Sequence, residues 1–205
     1  MALLLYVSWL LAVPFWESAP PVEWSEEQLI GLLNDSPWAQ TVGDGGRATR
    51  PATGLAGPPV LMYLASATPL RQAEEELIRR RYKQQPDLHA AIVDAREEYK
   101  AYLAEQAGKV IVVAIPLDAN ALADVGETKR MESESLLRVG KRKVKTTGHF
   151  PPTPADPILR LIFPKDLPAG TKEFTVEVYL PSIPGPYRNA TFRVKDLVYR
   201  GQPDL

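Results

Sequence analysis

The apolar residues of this chain change their spacing at Gly108, and that change limits the fold more than any other feature. Before it, Leu70, Ala73, Leu77, Ile78 and Tyr82 recur at helical spacing as far as Gln85-Pro86. Leu88, Ile92, Ala95, Tyr99 and Tyr102 then step by four and three, drawing one apolar seam along a second helix that ends near Gly108. Beyond it the period falls towards two. Val110 to Leu117 reads as a strand, Leu136 to Val139 and Lys141 to Thr147 flank Gly140 as a hairpin, and Ile158 to Phe163, Phe174 to Leu180 and Thr191 to Val194 follow. Phe174, Val176 and Val178 alternate with Thr175, Glu177 and Tyr179, the pattern of a strand with one buried face and one wet face. A count of 20 prolines interrupts long elements and favours short ones joined by rigid turns. The expected fold is α+β: an antiparallel β-sheet or sandwich from residues 58–67 and 109–200, with a two-helix insertion at 69–107 and a short N-terminal helical lead.

The expected organisation is a signal peptide or N-terminal anchor at 1–19, the helical lead at 20–41, a flexible Gly/Pro loop at 42–57, and a single α+β domain over 58–205. Ala2 to Phe15 is apolar except for Ser8 and shorter than the roughly 20 residues of a comfortable span, so a cleaved signal is preferred over an uncleaved anchor or a buried helix. No Lys or Arg precedes the run, and Ala19, before Pro20, is the small residue at the expected cleavage point. The segment is set aside from the fold, and the chain is expected to be exported, to the periplasm or beyond the cell. The absence of cysteine removes disulfides, thiol catalysis and thiolate metal sites.

In the lead, Ser25 caps a helix with Gln28 at its third position, and Leu29, Ile30, Leu32 and Leu33 give it an apolar side. Asn34-Asp35-Ser36-Pro37 then resets the backbone, with Ser36 as a new cap and Pro37 opening a one-turn helix that carries Trp38. Because the Gly/Pro segment that follows offers no other hold, Ser36, Pro37 and Trp38 are read as a structural clamp joining the lead to the core.

Chemistry is hard to find. With 24 Lys+Arg against 25 Asp+Glu, the chain lacks the field that draws a protein onto nucleic acid. His89 and His149 have no histidine or cysteine companion, so no metal site is expected, and each reads as an ordinary polar residue. Glu74, Glu75 and Glu76 face Arg79, Arg80 and Arg81 at helical spacings and read as a solvated, salt-bridged surface. Gly43-Asp44-Gly45-Gly46 lacks the Lys-Ser/Thr of a phosphate loop, and Asn189-Ala190-Thr191 matters as a glycosylation acceptor only in a eukaryotic secretory route. The one locally basic region runs from Lys129 to Lys145. Lys141, Arg142, Lys143 and Lys145 on its hairpin form either a cationic edge that resists aggregation or a contact surface for an anionic partner. No catalytic residue, cofactor or metal is nominated.

WSEEQLIGLLNDSPWAQT, ASATPLRQA, LRLIFPKD and FRVKDLVYRGQPDL, in that order along the chain, resemble uncharacterised exported proteins of acidobacteria. Relatives of that kind are sometimes labelled GWxTD-domain proteins, although no Gly-Trp-x-Thr-Asp string occurs here. The resemblance implies export and brings no established activity or catalytic residues. The preferred function is a non-enzymatic interaction or structural module of the cell envelope, with an envelope protein or polymer as partner and membrane contact only through an uncleaved N-terminus. The alternatives are a hydrolase or carbohydrate-active enzyme with a site between helices and sheet, and a basic-hairpin binder of anionic envelope polymers.

Overall fold

A computed structural model describes residues 13–43 and 57–205. Most of the apolar N-terminal run and most of the Gly/Pro segment therefore lie outside the described residues. Helix α1 (Phe15–Ser18) and a 3₁₀ turn (Pro21–Glu23) lead to α2 (Glu26–Asn34) and strand β1 (Ala39–Val42). Strand β2 (Val60–Leu64) precedes two long helices, α3 (Thr68–Arg81) and α4 (Pro86–Glu105), then β3 (Val110–Pro116) and α5 (Val125–Glu134). The hairpin β4 (Leu136–Val139) and β5 (Arg142–Lys145) is followed by β6 (Gly148–Phe150), β7 (Ile158–Pro164), β8 (Glu173–Tyr179) and β9 (Tyr187–Arg193), with a small ribbon of β10 (Val198–Tyr199) and β11 (Gln202–Pro203) beyond.

Two antiparallel sheets result, ordered β1-β2-β3-β7-β6 and β5-β4-β8-β9. The first is covered on both faces, which is why VIVVAI in β3 is an unbroken apolar run with every residue buried. One of its faces meets the second sheet, whose Phe174, Val176, Val178, Ala190 and Phe192 are all buried. The other lies under α3 and α4, with Tyr99 and Tyr102 of α4 packed edge-on against Phe150 of β6 at 5.4 and 5.5 Å. The sheets also approach along one edge, where Gln40 Nε2 of β1 donates to Thr191 O of β9 at 2.6 Å. The fold is the expected α+β sandwich with a two-helix insertion. Among the described residues no helix is long and apolar enough to cross a membrane.

Several local expectations need correction. Residues 39–41, expected in the helical lead, and Val42, expected in the Gly/Pro loop, form the edge strand β1, paired from Ala39↔Tyr63 to Val42↔Val60. Ser36 and Pro37 start a tight turn instead of a helix. Ser36 and Ala39 exchange backbone hydrogen bonds at 3.4 and 3.1 Å, and pairing with β2 outweighs the local cap signal. Helix α5 was not expected, because Met131 is its only buried residue and one apolar position makes no stripe; Asp124 starts it by accepting from Glu127 N at 2.9 Å. The buried seam of α4 is Ile92, Arg96, Tyr99 and Leu103, while Leu88 and Ala95 are exposed. Arg96 stands four residues after Ile92 and three before Tyr99, and so takes the inward position that the spacing assigns to Ala95.

The N-terminal end of the described chain is also part of the fold. Phe15 packs edge-on against Trp16 and Trp24 at 5.0 and 5.5 Å, and Trp16 against Trp38 at 5.9 Å. Trp24 Nε1 donates to Ala19 O at 2.9 Å, which ties down the residue expected at the cleavage point. Of the segment 1–19 that the sequence sets apart from the fold, residues 13–19 therefore belong with the core, and residues 1–12 lie outside the described residues.

Candidate functional site

The register of the first sheet builds the floor of the site. Pairings Tyr63↔Ala114, Ala114↔Arg160 and Phe150↔Arg160 set Tyr63, Ala114, Arg160 and Phe150 side by side in a row across β2, β3, β7 and β6. All four share the face beneath α3 and α4. Ala114, the smallest of them, leaves room between Tyr63 and Arg160 for a side chain arriving from above. That side chain is Glu74, which lies four residues after Leu70 and three before Leu77, within the inward stripe of α3.

Glu74 is 4% exposed and has three partners. Its Oε1 accepts from the Tyr63 hydroxyl, its Oε2 accepts from Arg96 Nη2 at 2.5 Å, and Arg160 Nη2 stands 3.7 Å from Oε1. Arg160 also donates from Nη1 to Asp156 Oδ2 at 2.6 Å, and its guanidinium lies 4.4 Å from the centre of the Tyr99 ring. The cluster therefore holds two carboxylates and two guanidiniums in a buried, neutral set. Burial opposes the charge on Glu74, but Arg96 and Arg160 outweigh it and hold the carboxyl below its ordinary range. Burial, then the Glu74 charge, pushes the Tyr63 hydroxyl well above its ordinary value, and burial does the same to Tyr99. At neutral pH the acid is ionised and the phenols are protonated.

This network closes the inner wall of a cavity of about 300 Å³. Leu33, Leu77, Ile78, Ile92 and Ile158 supply an apolar lining, and Tyr63, Glu74, Arg96 and Asp156 supply the polar end. Arg81, an exposed residue in the last turn of α3, stands on the rim and makes no hydrogen bond or ion pair among the described residues. A smaller opening of about 180 Å³ between α3 and α4 shares Ile78, Ile92 and Arg96 with the first. A hollow of about 500 Å³ lies elsewhere, between Ser36, Pro37 and Gln40 and the residues Thr191, Arg193 and Asp196. Its one cation, Arg193, is spent on Asp196 at 2.7 Å, and Pro37 is its only apolar side chain.

The residues singled out in the sequence are scattered. Lys141 lies in the β4–β5 turn and Arg142, Lys143 and Lys145 in β5, at the edge of the second sheet; Arg142 pairs with Asp166. Trp38 is fully buried; its Nε1 donates to Asp204 O at 2.7 Å, and Asp204 Oδ2 accepts from Thr68 N at 3.1 Å. The lead is thus tied to the C-terminal segment and, through it, to the start of α3. Ser36 Oγ accepts from Trp38 N at 3.3 Å, and Pro37 completes the turn. His149 Nδ1 sits 2.9 Å from Glu132 Oε1, away from the cavity, and His89 lines only the smaller opening.

The Glu74–Arg81 run is only partly the solvated, salt-bridged face expected of it: Glu75, Arg79 and Arg81 are exposed, while Glu74 and Glu76 are buried. Glu74 is in the buried network, and Glu76, 7% exposed, is gripped by Arg79 Nη2 and Arg80 Nε, both at 2.6 Å. The hydrogen bond from Arg79 leads in lowering the Glu76 carboxyl to about 2. The sequence does not single out Tyr63, Arg96, Asp156 or Arg160, and it places Glu74 on a solvated face. No protein-family model, no curated protein and no solved structure matches the chain.

Proposed function

We propose that the protein is a non-enzymatic interaction module of the bacterial cell envelope, holding a small ligand in the cavity between α3, α4 and the first sheet. One observation carries the binding reading: an apolar cavity with a few convergent polar groups, of which the Glu74 carboxyl and the Tyr63 hydroxyl are both displaced from titration near neutral pH. A general acid or base needs a group that titrates near the working pH. Glu74 and Tyr63 are each displaced away from it, and the network that fixes them favours holding over turnover. Export rests on the apolar Ala2–Phe15 run and on the resemblance to exported acidobacterial proteins.

A second reading, contact with anionic envelope polymers, is favoured by Lys141, Lys143 and Lys145, which are exposed and without an acidic partner among the described residues. The test of the main reading is a melting-temperature screen of the full chain against small molecules extracted from envelope fractions, run beside ester and glycoside hydrolysis assays. A rise in melting temperature without hydrolysis is expected. Hydrolysis that disappears in Glu74→Gln overturns the binding reading and favours the hydrolase.

A further inference from the structure

The inventory of donors and acceptors around the cavity is unbalanced. Both oxygens of Glu74 are engaged, by Tyr63 and Arg160 on one side and Arg96 on the other, and both oxygens of Asp156 face Arg160 at 2.6 and 3.5 Å. Each of these oxygens already faces a donor. Arg160 lies behind the wall, whereas Arg96 gives Glu74 one nitrogen of its fork, has no other nitrogen both buried and unpartnered, and lines both the cavity and the smaller opening beside it. Arg81 gives nothing to any described residue. Arg96 and Arg160 balance Glu74 and Asp156 at the polar end, so Arg81 on the rim is the surplus positive charge.

We propose that this cavity binds a small amphipathic monoanion, a carboxylate on an apolar body, with the carboxylate taken by Arg81 and Arg96 and the body laid against Leu77, Ile78 and Ile92. The assignment rests on the binding-module reading above and names its ligand class. A cation meets carboxylates already paired with Arg96 and Arg160, and the surplus charge of Arg81 repels it. A dianion meets Glu74 and Asp156 behind the arginines with only one surplus charge to offset it. A neutral alcohol leaves the open guanidinium donors unmatched as they lose water. Size agrees: about 300 Å³ holds on the order of ten non-hydrogen atoms at liquid density.

The probe is octanoate, which matches that size, titrated into the full chain by calorimetry at neutral pH and low salt beside 1-octanol and octylamine. Octanoate is expected to bind, and the other two to bind at least about tenfold more weakly, the scale of a charge-assisted hydrogen bond. Arg96 variants break the buried network and confound folding with binding. Exposed Arg81 carries the test instead: Arg81→Gln should keep the parent melting temperature and weaken octanoate by about tenfold, while Lys143→Gln leaves it unchanged. Octanol or octylamine binding as tightly as octanoate, or Arg81→Gln binding it as well as the parent, overturns the anionic assignment and leaves the cavity as a ligand site. Failure of all three probes to bind removes the cavity reading itself.

Discussion

Arginine meets glutamate on both sheets, at Arg160 and Glu74 beneath the helices and at Arg138 and Glu177 on the outer side of the second sheet, and the two meetings differ in kind. Arg138 donates from Nε to Glu177 at 2.6 Å with about a third of its side chain, 32%, still in water. Arg160 is 2% exposed, never nearer than 3.7 Å to Glu74, and depends on Asp156, Tyr99 and the wider network to be tolerable at all. The shorter pair is the one whose loss should cost less. Exposed pairs contribute about 0–1 kcal/mol, whereas removing one member of a buried set strands the other charge and costs about 3–5 kcal/mol. The first sheet can host such a set because helices cover its second face. On the outer face of the second sheet α5 covers only one end, where Tyr179 is buried against Glu127 and Arg130, and the part around Arg138 stays partly in water.

The comparison breaks most readily at Arg160. Arg160→Met should cost about 3–5 kcal/mol, read from the urea midpoint, because Asp156 loses its ion pair and Glu74 keeps only Arg96. Arg138→Met should leave the urea midpoint close to that of the parent. Equal costs for the two substitutions sink the contrast. Trp38→Ala belongs with the large effects for a different reason, an emptied aromatic site, at about 3–5 kcal/mol. It should also release residues 13–43 to proteolysis before the rest unfolds, since the indole ties them to Asp204. A mutant as protease-resistant as the parent counts against the clamp.

Acidity sharpens the contrast at intermediate size. Glu74 has a folded pKa below its unfolded value of about 4.3, so its contribution is present above that value and is lost as pH falls through the folded one. Glu76 behaves alike, its loss running down to about 2. At the alkaline end Tyr63 is raised by burial and Tyr179 by burial and Glu127 to about 12, so the stability they lend below about pH 10 fades as the unfolded chain ionises first. Denaturant midpoints across pH should show a plateau from about 5 to 9 with a fall on both sides. In Glu74→Gln the acid limb should become shallower, and an unchanged limb would separate the network from acid stability.

The sandwich and its two-helix insertion were legible because period carries that information: the seam through α4, the run in β3 and the alternation in β8 each show which faces are covered. The site was harder to see because its residues look like surface residues when taken by type. Their spacing says otherwise. Glu74 stands between Leu70 and Leu77, Arg96 between Ile92 and Tyr99, and Arg160 inside ILRLIF, so each charge interrupts an apolar stripe at an inward position. A single interruption reads as an exposed residue, and three of compatible sign mark a buried network. That they meet depends on strand register, which local sequence leaves open when pairs such as Tyr63↔Ala114 are distant along the chain. Strand β1 and helix α5 were hidden because one depends on pairing with β2 and the other buries a single residue.

The smallest expected effect falls on the basic edge and concerns what its charges are for. Val139↔Arg142 pairing closes β4–β5 with Gly140 and Lys141 alone in the turn, and Gly140 takes φ +57°, a conformation glycine adopts without strain. β5 is the outermost strand of its sheet, and Arg142 is engaged by Asp166. Lys141, Lys143 and Lys145 are left as exposed cations, which satisfies the requirement that an edge strand discourage pairing with another chain. Replacing all three with Glu exchanges one repelling charge for another, so stability should move by no more than about 0.5 kcal/mol per position and the protein should stay monodisperse. Replacing them with Thr keeps the strand and removes the repulsion, so self-association measured by sedimentation should rise. If the Glu variant instead loses salt-sensitive binding to anionic vesicles or polysaccharide that the parent shows, the edge is a contact surface as well as a guard. If neither variant changes anything, the lysines matter only for solvation, and the contrast between the two sheets reduces to burial alone.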